Sequence, residues 1–207
     1  MKLLRAVCLL WAFAAPAARA VPAADVYKYW IQACTPEVAA RSGCVAADPE
    51  LARWALEAWQ KAGGSGLQFA PADGEDSARI CIYWLGRAPQ LYGDAHVVFR
   101  NGRRVWVIEV QPDLEQFGPR IAAAGQSDKL FRDTVVYLTC LHEIGHALAL
   151  SHTADLADIM YSFQYGGDVL EYFSRYRRTL KERQDIRAQA GISEADRKRL
   201  TGLHATP

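Results

Sequence analysis

The sequence predicts an α+β fold, with strands gathered between residues 67 and 110 and helices on either side. Three observations predict it. Ala78–Leu85 (ARICIYWL), Ala95–Arg100 (AHVVFR) and Arg104–Val110 (RVWVIEV) are β-branched and aromatic runs of strand length. Asn101-Gly102 joins the last two, a dipeptide that suits both positions of a tight hairpin turn. Arg132–Leu150 is apolar almost all round, which predicts a helix buried in the core.

Lys2 and Arg5 precede an uncharged apolar run from Ala6 to Ala15, followed by Pro16 and Ala18-Arg19-Ala20. That is the pattern of a secretory signal peptide over residues 1–20, cleaved after Ala20. The apolar run is too short to span a bilayer comfortably, and no later run is long enough. Loss of Lys2, Arg5 and Arg19 takes the formal charge from +1 to −2, a balance that gives no footing for nucleic acid. At 51% hydrophobic the chain can bury the core of one domain.

Cys8 leaves with the leader, so Cys34, Cys44, Cys81 and Cys140 remain, an even number in an exported chain. The favoured pairing is Cys34–Cys44, closing a short loop, with Cys81–Cys140 second and two buried free thiols as the alternative. Cys140 lies about 160° round the helix from His142, at roughly 100° per residue, and so points away from the histidine face.

Residues 21–48 show no clear period and are read as irregular. Pro49–Lys61 places Leu51, Trp54, Ala55, Ala58 and Trp59 on one helix face, and Gly63-Gly64-Ser65-Gly66 ends it. Leu67–Ala70 is a short strand and Pro71–Ser77 a polar loop. Asp155–Phe163 reads as a turn. Val169–Ala190 and Ser193–Leu203 read as helices separated by Gly191, with Ser193 and Asp196 placed to cap the last one.

The chemistry is concentrated in His142-Glu143-Ile144-Gly145-His146-Ala147-Leu148-Ala149-Leu150-Ser151-His152. His142 and His146 are four apart and share a helix face, so both can grip one ion. Glu143 can bring its carboxylate beside a water on that ion. His152 completes the coordination only if the helix stops and the chain turns back. Met160 follows in Asp158-Ile159-Met160-Tyr161.

This combination resembles the metzincin zinc metalloproteases, and within them the matrixin branch, on the spacing of the third histidine and the methionine. The resemblance implies a single catalytic domain over residues 21–207. Its fold would be a twisted mixed β-sheet whose antiparallel edge strand comes from the 95–110 hairpin, with the zinc-binding helix and C-terminal helices behind it. It implies zinc on His142, His146 and His152, Glu143 as general base towards the zinc-bound water, and Met160 as an apolar floor beneath the imidazoles. A peptide or protein substrate would add as a further strand. The expected activity is an exported zinc endopeptidase, secreted or periplasmic. Three positions depart from the family pattern: Ala149 stands where glycine is usual, Ser162 where matrixins have proline, and no tyrosine lies two residues past Met160. No stretch resembles the matrixin inhibitory propeptide, so activity without removal of a pro-domain is expected.

Weaker candidates are read as structural. Gly93-Asp94-Ala95-His96 is similar to the stretch where matrixins bind a second zinc, but the chain has no histidines to spare, and His96 is read as a strand histidine. Asp73-Gly74-Glu75-Asp76 and Asp94 offer oxygen donors of the calcium type and are read as acidic surface positions. Arg175–Arg187 is read as a solvated helix face, and His204 as a solvated tail residue. Tyr161, Phe163, Tyr165 and Tyr172 are candidate pocket residues. Two rivals stand beside the main reading: a site with Glu171 as third ligand, and a non-catalytic zinc-binding module of the same fold.

Overall fold

The computed structural model describes residues 25–87 and 91–204. The expected signal peptide at 1–20 and its cleavage point lie outside the described residues, as does the side chain of His204. In chain order the elements are β1 (Asp25–Ile31), α1 (Pro36–Ser42), α2 (Asp48–Gly63), β2 (Leu67–Pro71), β3 (Ile80–Trp84), β4 (Gly93–Arg100) and β5 (Arg103–Val110). Then come α3 (Pro119–Ser127), α4 (Lys129–Ala147), α5 (Val169–Arg177), α6 (Asp185–Ala188) and α7 (Glu194–His204). The described residues thus form a mixed α+β structure with a five-stranded sheet in the order β2-β1-β3-β5-β4.

The sheet is parallel except at β4, which runs antiparallel to β5 and forms one edge. Asn101 and Gly102 make the β4–β5 turn with φ of 51° and 74°, both in the left-handed region that this tight turn needs. Strand alternation divides the side chains between two faces. Ile80, Ile82, Trp84, Ile108 and Val110 join the main core beneath α2 and α4, while Cys81 and Val105 belong to a small cluster on the opposite face.

That division corrects the second disulfide. Cys34 and Cys44 are bonded across α1, but Cys81 and Cys140 are free and buried. Cys140 lies in the main core and Cys81 on the other face of the sheet, so the sheet itself separates the two thiols. The reading of 21–48 as irregular is also corrected. β1 packs Tyr27, Tyr29 and Ile31 against the main core and Trp30 against Tyr83, while Val26 and Lys28 are exposed, so apolar residues stand on both faces and the polar–apolar alternation is broken. Helix α1 starts at Thr35, whose hydroxyl accepts the Val38 amide at 3.3 Å, with Pro36 in the first turn.

Helices α2 and α4 pack together through Trp59, which is fully buried and donates its indole N–H to the Leu141 carbonyl at 2.8 Å. At the other end of this contact the buried Asp48 carboxylate takes both guanidinium nitrogens of Arg132, one at 2.7 Å. The single helix expected over 169–190 is broken into α5 and α6. Asp185 accepts the Lys181 and Glu182 amides at 2.7 and 3.1 Å, and a side chain that takes backbone donors in this way competes with the helix. The arginines of this segment are only in part the solvated face expected: Arg178 and Arg187 are exposed, but several reach partners on neighbouring elements. Arg177 bonds Asp128 at 2.7 Å, Arg183 bonds Asp133 at 3.0 Å, and Arg187 bonds Glu57 at 2.6 Å, which ties the segment to α2 and α4. Helix α3 carries no strong apolar stripe in the sequence and was not expected.

Candidate metal centre

The site begins where α4 ends. Asp128 caps the start of this helix through the Leu130 and Phe131 amides at 2.9 and 3.1 Å. Nineteen residues later it stops, after Ala147. Leu150 N–H donates to Gly145 C=O at 3.0 Å and Ala149 N–H to His146 C=O at 2.9 Å, the paired bonds of a Schellman end. Ala149 adopts the left-handed conformation, φ 68°, at the position where glycine was expected. The chain therefore reverses in time for His152 to return to the face that carries His142 and His146. Thr153 N–H then bonds Met160 C=O at 2.8 Å, and Ser162 N–H bonds Thr153 C=O at 3.1 Å, which fixes the returning segment to the methionine segment.

Three imidazole nitrogens converge. The Nε2 of His152 stands 3.1 Å from the Nε2 of His142 and 3.1 Å from that of His146. The Nδ1 of His142 lies 2.7 Å from the Ile159 carbonyl, and that of His146 lies 2.9 Å from the Leu150 carbonyl. A carbonyl only accepts, so each Nδ1 carries the proton and each Nε2 presents a lone pair to the common point. Burial, aided by His146 and His152, pushes His142 down to about 3, and burial with His146 lowers His152. Lone pairs pressed together in neutral rings repel one another unless a cation lies between them. Nitrogens on one tetrahedral zinc at 2.0–2.1 Å would lie about 3.3 Å apart, close to the spacing found. His142, His146 and His152 can hold a metal ion.

Met160 is fully buried against Gly145 of α4. Gly145 makes that possible: a Cβ there would fall 2.4 Å from the Met160 sulfur and 3.2 Å from Trp59 Cζ2. Glu143 is 6% exposed, and no described group bonds its carboxylate. Burial first, and the charge of Asp94 second, push its carboxyl up to about 8. Gly93 of the edge strand crowds it, since a Cβ at Gly93 would lie 2.8 Å from both Cγ and Oε1 of Glu143.

Two depressions meet at Glu143. A cavity of 290 Å³ is lined by Tyr92, Leu138, Tyr161, Phe163, Tyr172 and Phe173 and opens at His142 and Glu143. Tyr161, Phe163 and Tyr172 are where the sequence placed them, but Tyr165 is exposed and takes no part. A more open groove of 620 Å³ runs from Glu143 past His146 and His152 to Arg104 and Trp106.

The remaining candidates stay apart from this centre. His96 is an exposed strand residue bonded to Asp94 at 2.7 Å; with Glu109 these two make a second, more open group of metal-ligand type. The Glu75 carboxylate is occupied by the Tyr83 hydroxyl and by Arg100 at 2.8 Å. Glu171 bonds Arg178 at 2.5 and 3.1 Å and is not among the clustered ligands. The sequence reading overlooked the roles of Gly93 and Gly145, and it took Asp196 as a helix cap without its bond to Ile159. A glycine inside a helix pattern is a usable sign of close packing, and Gly145 offered it.

A 61-residue stretch is 41% identical to interstitial collagenase of Sus scrofa. Over that stretch the chain is similar to a metalloprotease. The match spans 26% of this chain and 13% of the collagenase, so the likeness supports a metalloprotease relationship and goes no further. No family model matches the chain.

Proposed function

We propose that this chain is an exported zinc-dependent endopeptidase of the matrixin-like metzincin type, with residues 21–207 as one catalytic domain behind a signal peptide. One observation carries the reading: three imidazole Nε2 atoms converge beside a buried, unpartnered glutamate at the junction of two depressions. The collagenase likeness supports the same direction. The Cys34–Cys44 disulfide fits an oxidising compartment, and no helix among the described residues is long and apolar enough to cross a membrane.

His142, His146 and His152 would hold the zinc, and Met160 would close the space beneath them. When bound, the ion supplies a Lewis acid that acidifies a water and polarises the scissile carbonyl. The Ile159 and Leu150 carbonyls hold the His142 and His146 rings in the ligating tautomer. Glu143 takes up a proton at its carboxylate and delivers it to the leaving amine; its raised affinity for protons suits that transfer near neutral pH. The open edge of β4 offers backbone groups to an extended peptide and would hold it across Glu143.

The test is the purified mature protein, its zinc content, and its cleavage of a broad peptide library beside Glu143→Ala. One zinc per chain and cleavage that disappears in the variant support the endopeptidase. One zinc and no cleavage in either protein support a non-catalytic zinc module. Undiminished zinc affinity in His152→Ala removes the metzincin reading.

A further inference from the structure

We propose that Arg104 and Trp106 form a subsite for an acidic side chain of the peptide substrate, on the N-terminal side of the bond to be cut. The inference rests on the endopeptidase reading and adds a substrate class to it. β5 presents Arg104, Trp106 and Ile108 to the face of the sheet that carries α4, because side chains two apart share a face. Ile108 is covered by the core. Trp106 is only partly buried, and Arg104 is exposed. The Arg104 guanidinium lies over the Trp106 ring, 5.1 Å from its centroid. A cation held over an indole keeps a defined position with its N–H edges free.

No carboxylate among the described residues pairs with Arg104, whereas Arg132, Arg177, Arg183 and Arg187 of the helical segments are each paired with one. Both residues line the 620 Å³ groove that also holds Glu143, His146 and His152. The one other acid in that groove, Asp94, is bonded to His96 at 2.7 Å on the opposite face of β4. Phe99, 75% exposed, stands in register with Arg104 on β4. An open, oriented guanidinium with an aromatic floor selects a carboxylate, to which it gives charge-assisted hydrogen bonds.

The position follows from the strand register. Trp106 pairs with Val97, and Gly93, which touches Glu143, lies four residues back along β4. A peptide added antiparallel to β4, the slightly more stable ladder, runs from the Val97 end towards Gly93. The acidic residue therefore sits about three to four positions before the scissile bond, at roughly 3.4 Å per residue.

The experiment uses one peptide series with Glu, Gln or Lys at each of the four positions before the cleavage site. Cleavage is followed by kcat/KM in the zinc protein, and binding by calorimetry in the Glu143→Ala protein, each with and without Arg104→Glu. The expected result is about tenfold preference for Glu over Gln at the third or fourth position in both readouts, changed to a preference for Lys by Arg104→Glu. Equal treatment of Glu and Gln, or a Glu preference that survives Arg104→Glu, overturns the subsite. The two readings fail differently. Cleavage without Glu preference removes the subsite alone, whereas Glu-selective binding by a protein that cuts nothing keeps the subsite and removes the endopeptidase.

Discussion

The Asp196 carboxylate accepts the backbone N–H of Ile159 at 2.7 Å, in a fully buried hydrogen bond between the last helix and the segment beneath the histidines. The carbonyl of the same Ile159 residue receives His142 Nδ1–H at 2.7 Å. One backbone unit therefore links the C-terminal helix to the orientation of a proposed metal ligand. Asp196→Ala leaves the Ile159 amide and the Arg199 guanidinium without this partner, and is expected to lower stability by about 2 kcal/mol and zinc affinity about 10–100-fold. Ser193→Ala removes the helix cap and keeps the Ile159 bond, so it should cost about 1 kcal/mol with unchanged zinc affinity. Chemical denaturation and competitive zinc titration read the two effects separately. Equal zinc affinity in Asp196→Ala and the parent would remove the orienting role.

Asp158 makes stability depend on acid. Burial raises its carboxyl, but the Ser193 hydroxyl at 2.6 Å and Arg199 at 3.0 Å outweigh burial and hold it below the ordinary 3.8. A folded-state value below the unfolded one stabilises the fold above the unfolded value, and this contribution is lost as pH falls through the folded value. The metal-free protein, kept in chelator, should therefore lose this component only below about pH 3.8. Asp158→Asn should start less stable at pH 6 and show a flatter decline in that acid range. Parallel curves for parent and variant would count against the assignment.

Much of the site was legible because its spacing is local. His142 and His146 share a face by helical geometry, and Ser193 with Asp196 forms the cap that their spacing predicts. The Asn101-Gly102 turn likewise needs only its own two residues. The misreadings involve distance. Nothing near Cys81 states which sheet face it takes, and the alternation that decides it depends on where β3 begins. β1 hid its period because apolar Val26 and Trp30 share a face with exposed Lys28, so polar and apolar residues do not alternate cleanly. The 169–190 segment has helix-forming composition, but the Asp185 carboxylate draws the backbone away from it. Asp196 was seen as a cap, while its bond to Ile159, 37 residues away, had no local sign.

Gly93 sets the position of Glu143. A methyl group there would meet Glu143 Cγ and Oε1 at 2.8 Å and Thr139 Cγ2 at 2.9 Å. The carboxylate oxygen is the mobile end of its side chain, but Cγ is not, so Gly93→Ala should displace the whole group. Peptide cleavage is expected to fall about 10–100-fold, as catalysis does when a reacting group is misplaced by about 1 Å. Bound zinc should stay at the parent level, because the histidines are untouched. Parent-level kcat/KM in Gly93→Ala would show that Glu143 has room to spare.

Ala149 carries strain that the reversal after α4 requires. Its φ of 68° puts an L-residue in the left-handed region at a cost of about 1–2 kcal/mol, and the two Schellman bonds around it hold it there. Ala149→Gly removes the strain, and the greater freedom of glycine in the unfolded chain returns about 0.5–1 kcal/mol of the gain. The net expectation is about 0.5–1 kcal/mol of added stability, with the path to His152 and the zinc affinity unchanged. Ala149→Val adds a β-branched side chain at the same φ and should destabilise by more than the glycine variant stabilises. Denaturation midpoints of the three metal-free proteins order them as Gly above Ala above Val. A glycine variant less stable than the parent would mean that Ala149 is not strained in solution.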